Sequence, residues 1–203
     1  MSIDFRDCFS NYFPIEVGKR FPDSDRQIPK AETTLRKAFD ELELRLAKQK
    51  ENPDELNLGQ PYFLVCAIGA LNRAQYLRPV AGKRGEEMSE DAQKLMNLVA
   101  QGPEVGIHTI LWVDNMATFR QLSGDSRSAL SPFDMRVGLA MPENDSRDLL
   151  GEGYAKNLPR LRAYYRDILV TEGLDKFKPY AILSIEDMQK YNRRFQQRLS
   201  ERN

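Results

Sequence analysis

Two cysteines, one histidine and one tryptophan occur in 203 residues, and each scarcity removes a class of function. Cys8 and Cys66 are too few and too separated for a metal knuckle or a redox Cys-x-x-Cys pair. A single histidine, His108, excludes any histidine-rich metal site, and in mid-strand it reads as a packed residue. The longest apolar run, Tyr62 to Leu71, is about half what a bilayer-spanning helix needs. Acidic residues early in the N-terminus and the lack of an apolar core segment there argue against a secretory signal. A reducing cytoplasm fits these features best. Net charge is missing as well: 30 basic and 30 acidic side chains cancel, so bulk electrostatics gives no footprint for nucleic acid. Only a local basic strip would supply one.

Phosphate-binding signatures are also lacking. No Gly-x-x-x-x-Gly-Lys-Ser/Thr loop occurs, and Gly82-Lys-Arg-Gly85 has neither the spacing nor the hydroxyl. No Gly-x-Gly-x-x-Gly fingerprint is present; Gly151-Glu-Gly153 follows a helix and reads as a turn. The lack of a Gly-x-Ser-x-Gly elbow and the place of the lone His108 in mid-strand argue against a Ser-His-Asp hydrolase.

What remains is an α/β pattern. Residues 1–29 read as an irregular segment punctuated by Pro14, Pro22 and Pro29, with one apolar run from Tyr12 to Val17. Leu35, Ala38, Phe39, Leu42 and Leu46 then recur at helical spacing, predicting an amphipathic helix from Lys30 to about Lys50, with Arg36, Glu41 and Arg45 on its polar face. Tyr62 to Ile68 and Ile107 to Val113 are continuous apolar runs, the signature of strands buried on both faces. Between them lie an exposed loop, Ala81 to Ser89, and a helix that Ser89 caps. A short helix around Ala117 to Leu122 follows, then a polar loop from Ser123 to Pro132. Met135 to Met141 reads as a third strand, Leu161 to Val170 as another or as a hairpin broken near Arg166-Asp167, and Pro179 to Leu183 as one more. Ser184 opens a C-terminal helix, 184–203, carrying Arg193, Arg194, Arg198 and Arg202 beside Tyr191, Phe195 and Leu199. The alternation argues for a three-layer α/β domain over 30–183. In such sheets ligands gather beyond the C-terminal strand ends, which singles out Asp114 and Asn115.

Several motifs in series carry a resemblance. Gly102-Pro-Glu-Val-Gly-Ile-His-Thr-Ile-Leu-Trp112, Phe133-Asp-Met-Arg-Val137 and Asn144-Asp-Ser-Arg-Asp-Leu-Leu-Gly151 resemble the C-terminal half of FtsK/SpoIIIE-type ATPases. Gly153-Tyr-Ala-Lys-Asn-Leu158 matches the next family element loosely, and Phe177-Lys-Pro-Tyr180 is similar to a branch ending that accompanies Trp112-Val-Asp114. The likeness covers roughly half the chain. It implies an incomplete, three-layer P-loop NTPase (RecA-like) core that lacks the Walker A strand and loop. Where the family carries a Walker B Asp-Glu pair, this chain runs into Gly69-Ala-Leu-Asn-Arg73 with no carboxylate.

The resemblance further implies roles, each beside a plainer reading. Asp114 and Asn115 take a sensor-like place on the rim of a nucleotide site, although compact translocases place Thr-Gln there. Arg136 is a surface ion-pair residue or a trans-acting arginine. Arg147 lies in the first turn of a helix capped by Asn144 or Asp145, or faces a neighbouring subunit as a finger. Ser123 and Arg127 lie in a loop that is either solvated or DNA-facing in a ring's pore. No residue is assigned as catalytic or as a metal ligand. ATP and Mg²⁺ belong only to a core completed by a Walker A-bearing segment or partner, and none to the isolated chain. The partners implied are homologous or intact ATPase subunits in a ring oligomer, with double-stranded DNA as a candidate. The alternative is a non-catalytic scaffold module that packs against an intact ATPase subunit. The gap left by the missing central strand falls to Tyr12–Val17, to another polypeptide, or to nothing.

Overall fold

A computed structural model describes residues 2–4, 24–25, 28–53, 63–68, 74–82, 85–124, 128–170, 173–179 and 184–200. Its main sheet is parallel throughout, in the order β2-β1-β3-β6, from Ser24–Asp25 (β2), Ser2–Asp4 (β1), Phe63–Ile68 (β3) and Ile107–Trp112 (β6). Register is continuous from Phe63 opposite Ile107 to Ile68 opposite Trp112. The strand beside β3 is thus Ser2–Asp4, inside the segment expected to be irregular, while Tyr12–Val17 lies outside the described residues.

Helix α1 (Ile28–Glu51) begins two residues before the expected start and buries the predicted stripe. Leu35, Ala38 and Leu42 pack with Ala92, Leu95 and Leu98 of α2 (Glu90–Gln101) and with Ile107 of β6. Fully burying each leucine contributes about 1.5–3 kcal/mol, so this cluster dominates the local energetics. Arg45 departs from the expected pattern. It is 2% exposed, donates from Nε to Glu41 at 2.7 Å, and from Nη1 to the Val105 carbonyl at 2.9 Å. A helical pattern of charges cannot reveal that a distant carbonyl waits for one of them.

Ser89 caps α2 as expected: its Oγ accepts from the Ala92 amide at 3.2 Å and donates to the Tyr76 carbonyl. The stretch read as loop before it holds an antiparallel hairpin, Val80–Gly82 (β4) with Gly85–Glu87 (β5). After α2, Gly102–Val105 makes a 3-10 turn, and Gly106, at φ 75°, swings the chain into β6. Along β6, Ile107 is buried while His108, Ile110 and Trp112 are exposed, so among the described residues this strand is covered on one face only. His108 is therefore an exposed residue, not a packed one.

Helix α3 (Met116–Ser123) leads on toward a second sheet, antiparallel, with the order β7-β8-β9. Its strands are Met135–Gly138 (β7), Ala163–Asp167 (β8) and Asp175–Phe177 (β9). Strand β8 ends at Asp167, where a hairpin break was the alternative to one strand over Leu161–Val170; Ile168–Val170 form a turn and β9 returns antiparallel. Of the strand expected at Pro179–Leu183, residues 180–183 lie outside the described ones. Helix α4 (Glu143–Leu150) packs under this sheet: Leu150, Ala155 and Leu158 form a core with Tyr164. Pro142, not Asn144 or Asp145, occupies the N-cap position, and its carbonyl accepts from Ser146 at 2.9 Å. Helix α5 (Ile185–Ser200) starts at Ser184, whose Oγ accepts from the Asp187 amide at 3.1 Å. No helix among the described residues is long and apolar enough to cross a membrane.

Gly102 gives a direct test of the turn into β6. A Cβ built there lies 2.4 Å from the Ile107 carbonyl oxygen, which is backbone and cannot swing away. Gly102→Ala is expected to destabilise the fold by about 2 kcal/mol in chemical denaturation. Unchanged stability would show that the turn can relax.

Candidate functional site

The residues singled out by position and motif fall on the stretch from β6 through α4. Asp114 is exposed in the bend just past β6, where a ligand-facing residue of a parallel sheet would lie. Asn115 is used by the fold. Its backbone is extended, and its Oδ1 accepts from the Thr118 amide at 2.8 Å, capping α3. A cap of this kind is worth about 1 kcal/mol and needs no ligand to explain it.

Arginine chemistry on this stretch departs most from expectation. Arg136 is neither a surface ion-pair residue nor a free finger. Its guanidinium donates to three carbonyls: Phe133 at 2.8 Å from Nε, Leu149 at 3.1 Å from Nη1 and Leu130 at 2.9 Å from Nη2. Burial lowers its pKa from the usual arginine value, and the neighbouring Arg166 lowers it further, partly offset by Asp134. Arg166 itself donates to the carbonyl of Leu150. Two arginines therefore satisfy the last carbonyls of α4, where the helix dipole favours positive charge. They tie β7 and β8 to that helix.

Arg147 lies on the exposed side of α4, paired with Glu143 four residues earlier at 2.6 Å. Glu143 also receives Lys156 at 2.8 Å, and that bond holds its carboxyl below the usual carboxylate range, with Arg147 adding to the effect. The adjacent Ser146 is fully buried. Its hydroxyl accepts from the Ala155 amide at 3.2 Å and donates to the Glu152 carbonyl, stitching α4 to the 3-10 turn Gly153–Asn157.

Sequence reasoning missed Arg120. From α3 it reaches Asp145 at 3.2 Å and Asp148 of α4, and Asp148 is the main cause of its raised pKa. The partners lie 25 and 28 residues away, beyond any local spacing rule. Ser123 is not a loop residue. It ends α3, is 4% exposed, and its Oγ donates to the Arg120 carbonyl at 3.4 Å. That placement removes it from a DNA-facing surface. Arg127 lies outside the described residues.

Most of the basic side chains on this stretch are committed to bonds within the fold. Arg120, Arg136, Arg147, Arg166 and Lys156 are each engaged within the fold. Among the described residues no three His, Cys, Asp or Glu side chains converge to hold a metal ion.

No family model matches the chain, and no curated protein matches its sequence. Solved structures do. The cytoplasmic domain of the Thermomonospora curvata type VII secretion ATPase EccC is similar over 87% of this chain, with 16% identity and a TM-score of 0.53. The pCW3 conjugation coupling protein TcpA, in its monomer form with ATPγS, is similar over 94%, with 13% identity and a TM-score of 0.63. This chain spans 21% of the EccC chain and 56% of the TcpA chain. The fold is that of P-loop ATPase domains, as an incomplete RecA-like core.

Two predictions follow from this chemistry. Arg136→Met strands three carbonyls and should cost about 2–4 kcal/mol, whereas Arg147→Ala, which removes an exposed pair, should cost under about 0.5 kcal/mol. Urea unfolding of both variants decides it; equal losses would refute the clasp. Glu143 supplies the pH arm. Its folded pKa is depressed, so its contribution is present above the unfolded value and lost as pH falls through the folded one. Glu143→Gln should melt lower than the parent at neutral pH, with the difference closing below about pH 4.

Proposed function

We propose that this chain is the C-terminal portion of an FtsK/SpoIIIE-like ATP-binding DNA translocase core, and that it does not hydrolyse ATP alone. The carrying observation is the agreement of two independent lines. Ordered motifs from Gly102 to Tyr180 resemble that family, and the fold is similar to those of EccC and TcpA. One of those neighbours is described with ATPγS. The absence of a phosphate loop and of a Walker B carboxylate pair from the sequence supports the lack of independent turnover.

In this reading ATP and Mg²⁺ are bound when a segment or partner bearing the phosphate loop completes the core. Asp114, exposed at the end of β6, then faces the nucleotide rim. The assembly is a ring of homologous or intact ATPase subunits in the cytoplasm, acting on double-stranded DNA. Arg147 is the remaining candidate for a trans-acting role, since its pair with Glu143 is exposed and exchangeable. Arg136 is not, because releasing it would uncover three carbonyls.

A second reading, a non-catalytic scaffold that packs against an intact ATPase subunit, is favoured by the commitment of these arginines to internal bonds. Pure full-length chain should show no ATP turnover above background. Turnover that disappears in Asp114→Ala would overturn the first reading's central claim. Sedimentation with an intact FtsK-type subunit separates the two readings. The scaffold gives a stoichiometric complex with the subunit's turnover unaltered, whereas a core portion changes that turnover and loses the effect in Asp114→Ala.

A further inference from the structure

Helix α5 distributes its charge unlike α1, α2 and α4. Those three set a basic residue against an acid one turn away: Arg36 with Glu32, Lys94 with Glu90 and Arg147 with Glu143, each at 2.6 Å. In α5 the acids Glu186 and Asp187 stop in the first turn, where the helix dipole favours them, and Asp187 is bonded to Ser184. From Met188 to Ser200 the sequence holds Lys190, Arg193, Arg194 and Arg198 and no acid. All four are exposed, and among the described residues none of them has an ion pair or hydrogen bond. Lys190, Arg194 and Arg198 follow at four-residue steps, so they share one arc, with Arg193 beside it, over about 12 Å of helix. Like charges at that spacing repel and weaken a helix. The dipole offsets this for Arg198 in the last turn, but not for Lys190, Arg193 or Arg194 further in. A face kept basic against its own repulsion is matched to an anion outside the chain.

Two observations select that anion. The whole chain balances 30 basic against 30 acidic residues, so the basic surface does not spread into the broad footprint that a nucleic acid follows. The same helix also repeats Ile185, Met188, Phe195 and Leu199 at three-, seven- and four-residue steps in the sequence, on the arc opposite the basic one. Tyr191, 57% exposed, stands at the border between the two arcs. Apolar and aromatic side chains gain little from a phosphodiester backbone, whereas a basic two-sided helix suits the headgroup and acyl boundary of a bilayer. We propose that α5 is an interfacial helix that seats this chain on a bilayer containing anionic phospholipid. Lys190, Arg193, Arg194 and Arg198 engage headgroup phosphates on their long stems, and Tyr191 lies at headgroup level. At 16 residues the helix is too short and too charged to span the bilayer, so it lies in the plane of the surface. This inference goes beyond the ATPase reading and needs no nucleotide.

Flotation of the full chain with vesicles tests this, using phosphatidylcholine alone or with about one third phosphatidylglycerol. The chain should float with the anionic vesicles and stay behind with the neutral ones, and binding should weaken as salt rises. The double variant Lys190→Gln, Arg194→Gln removes two exposed charges that hold nothing in the fold among the described residues. It should keep the parent melting temperature and weaken binding about tenfold or more. The double variant Arg160→Gln, Lys176→Gln makes the same charge change at exposed positions off the helix and should bind as the parent does. Three results overturn the proposal. One is no flotation with anionic vesicles at low salt, and another is equal binding by the two double variants. The third is displacement of the chain from vesicles by a short DNA duplex at matched phosphate, which would make nucleic acid the occupant. No outcome here depends on ATP turnover, so failure of the membrane helix and failure of the ATPase reading are told apart.

Discussion

A parallel β-strand offers two hydrogen-bonding edges and two faces, and a stable parallel sheet normally has both faces covered. Strand β6 meets half of that requirement. Its inner face carries Ile107 and Leu111 into the α1–α2 core, and its register with β3 is unbroken over six residue pairs. The outer face and outer edge are open among the described residues. Much else in the fold depends on this asymmetry. The bend at Asp114, the cap at Asn115 and helix α3 all hang from the end of a strand anchored on one side. The second sheet begins where α3 returns the chain, and it too has an open edge at β7.

That second sheet is held to its helix by arginine rather than by hydrocarbon alone. Guanidinium is suited to the task because its five donors lie in one plane and it stays charged when partly buried. Arg136 uses this to gather three carbonyls that a shorter polar side chain could not reach together. Arg166 adds the carbonyl of Leu150; burial, and after it the like charge of Arg166, lowers Arg136's pKa. Arg45 repeats the device in the first core, bridging a helix to the Val105 carbonyl before β6. In each case the basic residue closes the end of a secondary-structure element. A sheet with open edges gains rigidity from such closures where it cannot gain it from further strands.

The parts legible in the sequence were those governed by local spacing. The stripe of Leu35, Ala38 and Leu42, the Ser89 and Ser184 caps and the turn at Gly106 follow from period and cap chemistry. Errors arose where a local pattern was completed by a distant group. Apolar continuity in Ile107–Trp112 suggested burial on both faces, but continuity states what a strand can tolerate, not what covers it. Arg45 and Arg136 looked like surface charges because their carbonyl partners are invisible to a hydropathy pattern. Ser123 looked like a loop residue because the glycine that ends α3, Gly124 at φ 67°, lies one position later. The Arg120 link to Asp145 and Asp148 joins two helices that no spacing rule relates.

The motifs that carry the family resemblance prove to be instructions for the backbone. Gly102 admits the Ile107 carbonyl, Gly106 turns the chain, Asn115 caps α3, Arg136 closes α4, and Ser146 stitches α4 to the next turn. None of these uses requires a nucleotide. These uses accompany a fold shared with EccC and TcpA at 16% and 13% identity. No Gly-x-x-x-x-Gly-Lys-Ser/Thr loop occurs in this sequence, and no carboxylate lies in Gly69-Ala-Leu-Asn-Arg73. What these residues do specify is the geometry of β6 and β7, each paired on one edge among the described residues.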